Sequence, residues 1–91
     1  MNKERLEQKK AAAESRWEAA QMQAANAQRE LDYAISVFEK HKDELSTTEQ
    51  QSTVVKIDEQ RNLIKDFLLK SHQVYQNAVL RYAAETKGHN A

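Results

Sequence analysis

Proline and cysteine are absent from this chain of 91 residues, and its single glycine is Gly88. Because proline and glycine are the residues that most often break helices and form tight turns, positions 1 to 87 lack the strongest signals for a break. Without cysteine there is no disulfide framework, no thiolate nucleophile and no cysteine-type zinc site. These absences favour an all-α fold built from long helices.

The chain also lacks an excess of charge of either sign, since 14 basic residues balance 14 acidic ones. Proteins that bind nucleic acid usually carry a basic excess that neutralises phosphates, so this balance counts against a nucleic-acid partner. There is no run of 18 apolar residues, and no apolar segment follows the charged N-terminus as in a general export signal. We therefore expect no membrane insertion, a cytoplasmic location and a protein as the partner.

Small or apolar residues recur through the first half of the chain at alternating steps of 4 and 3, interrupted by Lys10 and His41. A mean step of 3.5 residues keeps one stripe of an α-helix facing a partner helix over its whole length. This stripe predicts a first helix over about 3–42. Its members are Leu6, Ala13, Trp17, Ala20, Ala24, Ala27, Leu31, Ala34, Phe38 and Leu45.

The second half carries its own stripe, which predicts a second helix over about 53–85 and a frayed tail over 86–91. A chain of this length forms one domain, 1–91, with a small core. The members of the second stripe are Val54, Ile57, Ile64, Leu68, Tyr75, Ala78 and Tyr82.

The two stripes are not in register with each other. Heptads continued from Leu45 do not reach Val54, and the mismatch of two residues is not one that a continuous coiled coil absorbs. Between the stripes, Ser46 and Glu49 have the spacing of a capping box, in which the serine side chain accepts the amide of the third helical residue. We therefore predict a turn within 43–52 and an antiparallel, coiled-coil-like hairpin.

In an antiparallel hairpin, the numbers of two facing residues add to the same total all along the seam. Totals of 95 and 102 both place large side chains against small ones. In the first register, for example, Trp17 faces Ala78. The predicted hairpin core contains Trp17, Ala20, Ala24, Ala27, Leu31, Phe38, Ile57, Ile64, Leu68, Tyr75, Ala78 and Tyr82.

More apolar surface is present than one hairpin seam can cover. We predict a second interface, with a dimer or with a partner, at Leu63, Phe67, Val74, Ile35 and Val37. Residues 30–60 near the turn hold eight acids and three bases, a balance of −5, and the rest of the chain balances at +5. Two hairpins packed head to tail would match these charges, which predicts an antiparallel homodimer in the form of a four-helix bundle.

No arrangement of side chains predicts catalysis, a metal site or a cofactor. His41, His72 and His89 lack the spacings of helical zinc or di-iron sites. Ser71 and His72 are adjacent, so they point about 100° apart on a helix and do not form a nucleophile and base pair. We therefore expect a protein that is not an enzyme and binds no metal.

The sequence thus predicts a non-enzymatic protein–protein interaction module, a small helical adaptor or chaperone or an inhibitor of a larger assembly, without identifying its partner. The alternative is a dimeric regulator associated with nucleic acid. Its phosphate contacts would come from the basic open end of the hairpin, which contains Lys3 to Lys10, Arg16, Arg81 and Lys87.

Overall fold

The structure of the protein is a computed structural model that describes the backbone of residues 2–89 and the side chains of residues 3–87. Helix α1 spans Asn2–His41 and helix α2 spans Thr47–His89. A single 3₁₀ turn, Lys42–Glu44, and two further residues join them. The two helices pack along each other as an antiparallel pair, and no strand occurs within residues 2–89. The prediction of an all-α helical hairpin is confirmed.

The turn is shorter than the predicted 43–52, because α2 begins at Thr47. Ser46 caps this helix: its Oγ accepts the amide of Glu49 at 3.2 Å and donates to Oε1 of Glu49 at 3.1 Å. The first helical hydrogen bond then runs from the amide of Gln50 to the Ser46 carbonyl, at 2.9 Å. Residues 47–52 lack an apolar stripe, and polar residues such as Ser and Thr are frequent in turns. Here they form the first turns of a capped helix.

A glutamine side chain closes the connection between the helices. Nε2 of Gln50 donates to the carbonyl of Lys42 at 2.7 Å and to the carbonyl of Leu45 at 3.2 Å. The Leu45 amide also donates to the Lys42 carbonyl, at 3.0 Å. Carbonyls beyond the end of a helix have no helical partner, so these bonds satisfy groups that the turn leaves free. They tie the start of α2 to the end of α1.

Helix α2 continues beyond the predicted end at about residue 85, as far as His89. Of the predicted frayed tail, residues 86–89 are helical, and 90–91 lie outside the described residues. Gly88 does not end the helix with a left-handed residue, since no glycine in the described part of the chain has positive φ. Leu6 is buried and Thr86 is half-buried. Packing near the N-terminus of α1 therefore favours the longer helix.

The register differs from both predicted sums. Trp17 stacks on Tyr75, and Nζ of Lys10 lies 4.9 Å from the ring centroid of Tyr82. The residue numbers of each pair add to 92, as do those of Lys42 and its hydrogen-bond partner in α2. The helices are therefore shifted by three residues, nearly one turn, from the nearer prediction. The shorter turn accounts for this shift, because it places the reversal of the chain closer to α1.

The molecule is a thin rod with extents of 68 × 16 × 11 Å and a radius of gyration of 20.4 Å. A compact domain of this length has a radius of gyration of about 12 Å. The chain exposes 7444 Å² at a mass of 10.5 kDa, whereas a compact monomer of that mass exposes about 5,400 Å². Within residues 3–87, the buried apolar residues are Leu6, Ala20, Ala24 and Leu31, all in α1.

Candidate functional site: the front face of the hairpin

The seam between the helices holds the predicted hairpin core. Ala20, Ala24 and Leu31 are buried. Two members of the sequence stripes, Ala34 and Val54, are instead exposed. The remaining predicted core residues are all half-buried, namely Trp17, Ala27, Phe38, Ile57, Ile64, Leu68, Tyr75, Ala78 and Tyr82. A seam between only two helices leaves one side of most of these side chains open to solvent.

The aromatic cluster in the seam is centred on Trp17. Its ring lies 6.2 Å from that of Tyr75 at an interplanar angle of 15°, and 5.0 Å from that of His72 at 54°. His72 and Tyr75 are themselves 6.4 Å apart. Offset and tilted ring pairs at these distances are mutually stabilising. The sequence placed both Trp17 and Tyr75 in the predicted hairpin core, but it did not single out His72 as a member of this cluster.

A shallow groove of about 380 Å³ opens beside this cluster on one side of the seam. Three residues of α1 and three of α2 form its outer walls: Lys9, Ala12 and Arg16, and Ser71, Val74 and Ala78. Residues three or four apart share a face of a helix, so these walls continue along the rod. We call the whole surface the front face. It contains Ala12, Arg16, Ala19, Gln23, Glu30 and Ala34 of α1 and Leu63, Phe67, Ser71, Val74 and Ala78 of α2.

The predicted interface residues are divided between this face and the seam. Leu63, Phe67 and Val74 lie together on the front face and are 60%, 40% and 62% exposed. Val37 is also exposed and continues the front row of α1 toward the turn. Ile35 is half-buried and turns toward the seam, where the sequence had placed Ala34. A straight helix of 3.6 residues per turn drifts from a strict heptad, which accounts for this change of one residue.

The opposite side of the rod, which we call the back face, is charged and internally paired. Residues two apart on a helix do not face the same way, so Glu14 lies on the other side of α1 from Arg16. Within the described residues, no ion pair includes Arg16 or Glu30 of the front face. The ion pairs on the back face are Lys10–Glu14 at 3.9 Å, Glu39–Lys42 at 3.1 Å and Asp58–Arg61 at 3.7 Å, and Nε2 of Gln28 donates to Asp32 at 2.9 Å. A further ion pair, Lys70–Asp66 at 3.0 Å, lies next to Phe67 and Val74 at the edge of the front face.

The described residues show no group of three or more His, Asp or Glu that could hold a metal ion. His41, predicted in the seam, is exposed instead, and its Nδ1 lies 3.5 Å from Oε2 of Glu44 at the turn. The side chain of His89 lies outside the described residues. No helix within the described part of the chain has an apolar segment long enough to cross a membrane.

Fold and surface together define a class: an all-α helical hairpin with a shallow groove and an exposed apolar row on one side, and with further exposed apolar residues such as Leu69 and Leu80 elsewhere on α2. Comparison with models of known protein families, with curated proteins and with solved structures found no match. The geometry of the front face is therefore what supports a function.

Proposed function

We propose that the protein is a non-enzymatic protein–protein interaction module that docks apolar helix faces, working as a small adaptor or chaperone or as an inhibitor of a larger assembly. One observation carries the proposal: Leu63, Phe67 and Val74 form an exposed apolar row on the side of the rod where the groove opens. Isolated apolar residues on a surface are ordinary, whereas a continuous apolar row marks an interaction site.

The proposed resting form is a homodimer in which two front faces meet as a four-helix bundle. A face of 68 by 16 Å offers on the order of 1,100 Å² per copy, more than the ~800 Å² per partner that a stable interface buries. Fully covering a Leu, Phe or Val contributes roughly 1.5 to 3 kcal/mol. This is a large share of the ~5 to 15 kcal/mol by which a domain is stable. Cytoplasmic location stays a prediction.

The competing function, a nucleic-acid-associated regulator, has less support. Lys9 and Arg16 do line the groove, but Trp17 and Tyr75 stack on each other in the seam. Proteins that hold single strands by stacking present aromatic faces to the bases. Binding to DNA that weakens steeply with added salt would favour the regulator, and no binding at low salt would remove it.

The experiment that tests the proposed function is the solution mass measured by light scattering over a concentration series. We expect a mass near twice 10.5 kDa, and a double variant with Leu63→Glu and Phe67→Glu should fall to the mass of one chain. The matched control carries Leu69→Glu and Leu80→Glu, because these leucines of α2 are 57% and 67% exposed and lie off the front face.

Each outcome has a defined meaning. Loss of the dimer in the front variant but not in the control supports docking through the front face. A dimer that survives both changes places the interface elsewhere and contradicts the proposal. A parent that is monomeric at every concentration overturns the homodimer. The front face is then assigned to another protein only if the front variant also abolishes binding to a partner that the control retains.

A further inference from the structure

We infer that the occupant of the front face is a second copy of this chain, packed antiparallel about a two-fold axis that passes at Gln23 of α1. In this arrangement α1 lies against α1 of the second copy and α2 against its α2. The inference rests on the proposed function, because it specifies which helices meet, and in which register, in the dimer proposed above.

The small residues of α1 are arranged symmetrically about Gln23. Ala12 and Ala34 of the front face lie eleven residues to either side of it, and Ala19 lies four residues before it and the half-buried Ala27, at the edge of the seam, four residues after it. In an antiparallel pair of identical helices centred there, each of these alanines meets an alanine of the second copy. Because the residues that meet are small on both helices, the two helix axes can approach to about 8 Å, the short end of the usual range of interaxial distances.

Two charged residues of α1 have the same symmetry. Arg16 and Glu30 lie seven residues to either side of Gln23, so the two-fold axis sets each Arg16 beside Glu30 of the second copy. No ion pair within the described residues includes Arg16 or Glu30. The axis that matches alanine with alanine therefore also matches these two charges of opposite sign.

The apolar row of α2 is centred at the same height as Gln23. In the observed register, in which facing residue numbers add to 92, Gln23 is level with position 69. Phe67 and Ser71 lie two residues before and two residues after that position. The midpoint between Leu63 and Val74 falls within half a residue of it. The apolar row of α2 would therefore pack against the same row of the second copy. The centre of this contact lies at the height of the two-fold axis that the α1 residues define.

The arrangement also carries one unfavourable contact. Lys56 and Arg81 are centred within half a residue of position 69 on the same row of α2, so Lys56 lies beside Arg81 of the second copy. Like charges at the exposed edge of an interface cost little. This contact provides a test in which the dimer should become more stable. Lys56→Glu replaces the repulsion by an attraction and should lower the dissociation constant of the dimer about two- to fivefold.

The decisive experiment uses Gln23→Cys, because the chain has no other cysteine. A residue on a two-fold axis meets its own copy, and a disulfide forms where the two Cα atoms come within about 7 Å. Under mild oxidation we expect Gln23→Cys to give a covalent dimer on a non-reducing gel. The control, Ala25→Cys, is exposed at nearly the same height but points away from the front face, and it should remain mostly single chains.

Charge exchange provides a second measurement. Arg16→Glu or Glu30→Arg alone should raise the dissociation constant of the dimer about three- to tenfold, since each change places two like-charged pairs across the interface. The double variant Arg16→Glu with Glu30→Arg restores both pairs and should recover the parent value. Glu18→Arg, a charge change away from the front face, is the control and should have little effect.

The outcomes separate this inference from the function on which it rests. A dimer by light scattering in which Gln23→Cys cross-links no faster than Ala25→Cys overturns the antiparallel axis but leaves front-face docking intact. Failure of the double charge variant to recover affinity likewise overturns it. A monomeric parent overturns the inference and the proposed homodimer together. Rapid cross-linking at Gln23 with recovery in the double variant supports it.

Discussion

Trp17 and Tyr75 stack across the seam with their ring centroids 6.2 Å apart and their planes only 15° from parallel. This contact joins the open-end half of α1 to the open-end half of α2 and shows which turn of one helix lies beside which turn of the other. The sequence had paired Trp17 with Ala78 on the ground that large side chains meet small ones in a close-packed core. A seam between two helices is open on its sides, so two large rings can lie next to each other at its edge.

The first prediction concerns the strength of that contact. Replacing Trp17 and Tyr75 by leucine, singly and together, should give a coupling free energy of about 0.5 to 1.5 kcal/mol in a double-mutant cycle of chemical denaturation. The control cycle pairs Trp17 with Tyr33, which lies on the exposed side of α1. Its coupling should be near zero. Equal coupling in the two cycles would mean that the ring stack does not hold the register.

The second prediction concerns the narrowest part of the seam. Ala24 is buried, so Ala24→Leu should push the helices apart and cost about 1 to 3 kcal/mol. The melting temperature, followed by circular dichroism at a fixed protein concentration, should fall by roughly 4 to 8 °C per kcal/mol. The matched control is Ala25→Leu, an exposed neighbour with the same change in helix propensity. Equal melting of the two variants would contradict the observed seam.

The sequence could predict the architecture because the evidence for it is periodic and extends over many turns. The absence of proline, the absence of glycine before Gly88, two apolar stripes and a break between them were enough to predict a helical hairpin. The position of Ser46 was also informative, and its side chain does accept the Glu49 amide. What the pattern could not fix was the length of the turn, because a polar run such as 47–52 fits either a loop or the first turns of a capped helix.

The register of the two helices and the distribution of apolar and charged side chains over the rod were harder to predict, for a physical reason. Alanines such as Ala20 and Ala24 fit against almost any neighbour, so shifting one helix by a turn changes the fit of the seam only slightly. The apolar row at Leu63, Phe67 and Val74 was visible in the sequence. The sequence alone could not show on which side of the rod this row lies relative to the ion pairs of the back face. That relationship depends on the register in which α1 and α2 pack.

The third prediction concerns the cap of α2. Ser46→Ala removes the acceptor of the Glu49 amide and the hydroxyl that donates to its carboxylate, and should cost about 1 kcal/mol of stability. Ser52→Ala is the control, because Ser52 is an exposed residue inside the helix where alanine is the better helix former. It should be neutral or slightly stabilising in urea denaturation. A neutral Ser46→Ala would show that the capping bonds do not contribute to the stability of the turn.

The fourth prediction concerns the side chain that ties the two helices together at the turn. Gln50 donates to the carbonyls of Lys42 and Leu45, and each such bond is worth about 0.5 to 1.5 kcal/mol net. Water can reach the carbonyls if the bonds are lost, so Gln50→Ala should cost about 1 kcal/mol, near the lower end for two bonds. Gln51→Ala, at the exposed neighbouring position, should have almost no effect in the same denaturation experiment.

A nearly isosteric change makes this prediction sharper. Gln50→Glu keeps the shape of the side chain but replaces the donor by a carboxylate, which faces two carbonyl oxygens with no proton to offer them. It should therefore destabilise the protein at least as much as Gln50→Ala, whereas Gln51→Glu measures the effect of the added charge alone. If Gln50→Glu is no worse than Gln51→Glu, the hydrogen bonds of Gln50 do not fix the short turn, and packing along the seam, including the Trp17 stack, sets the register without them.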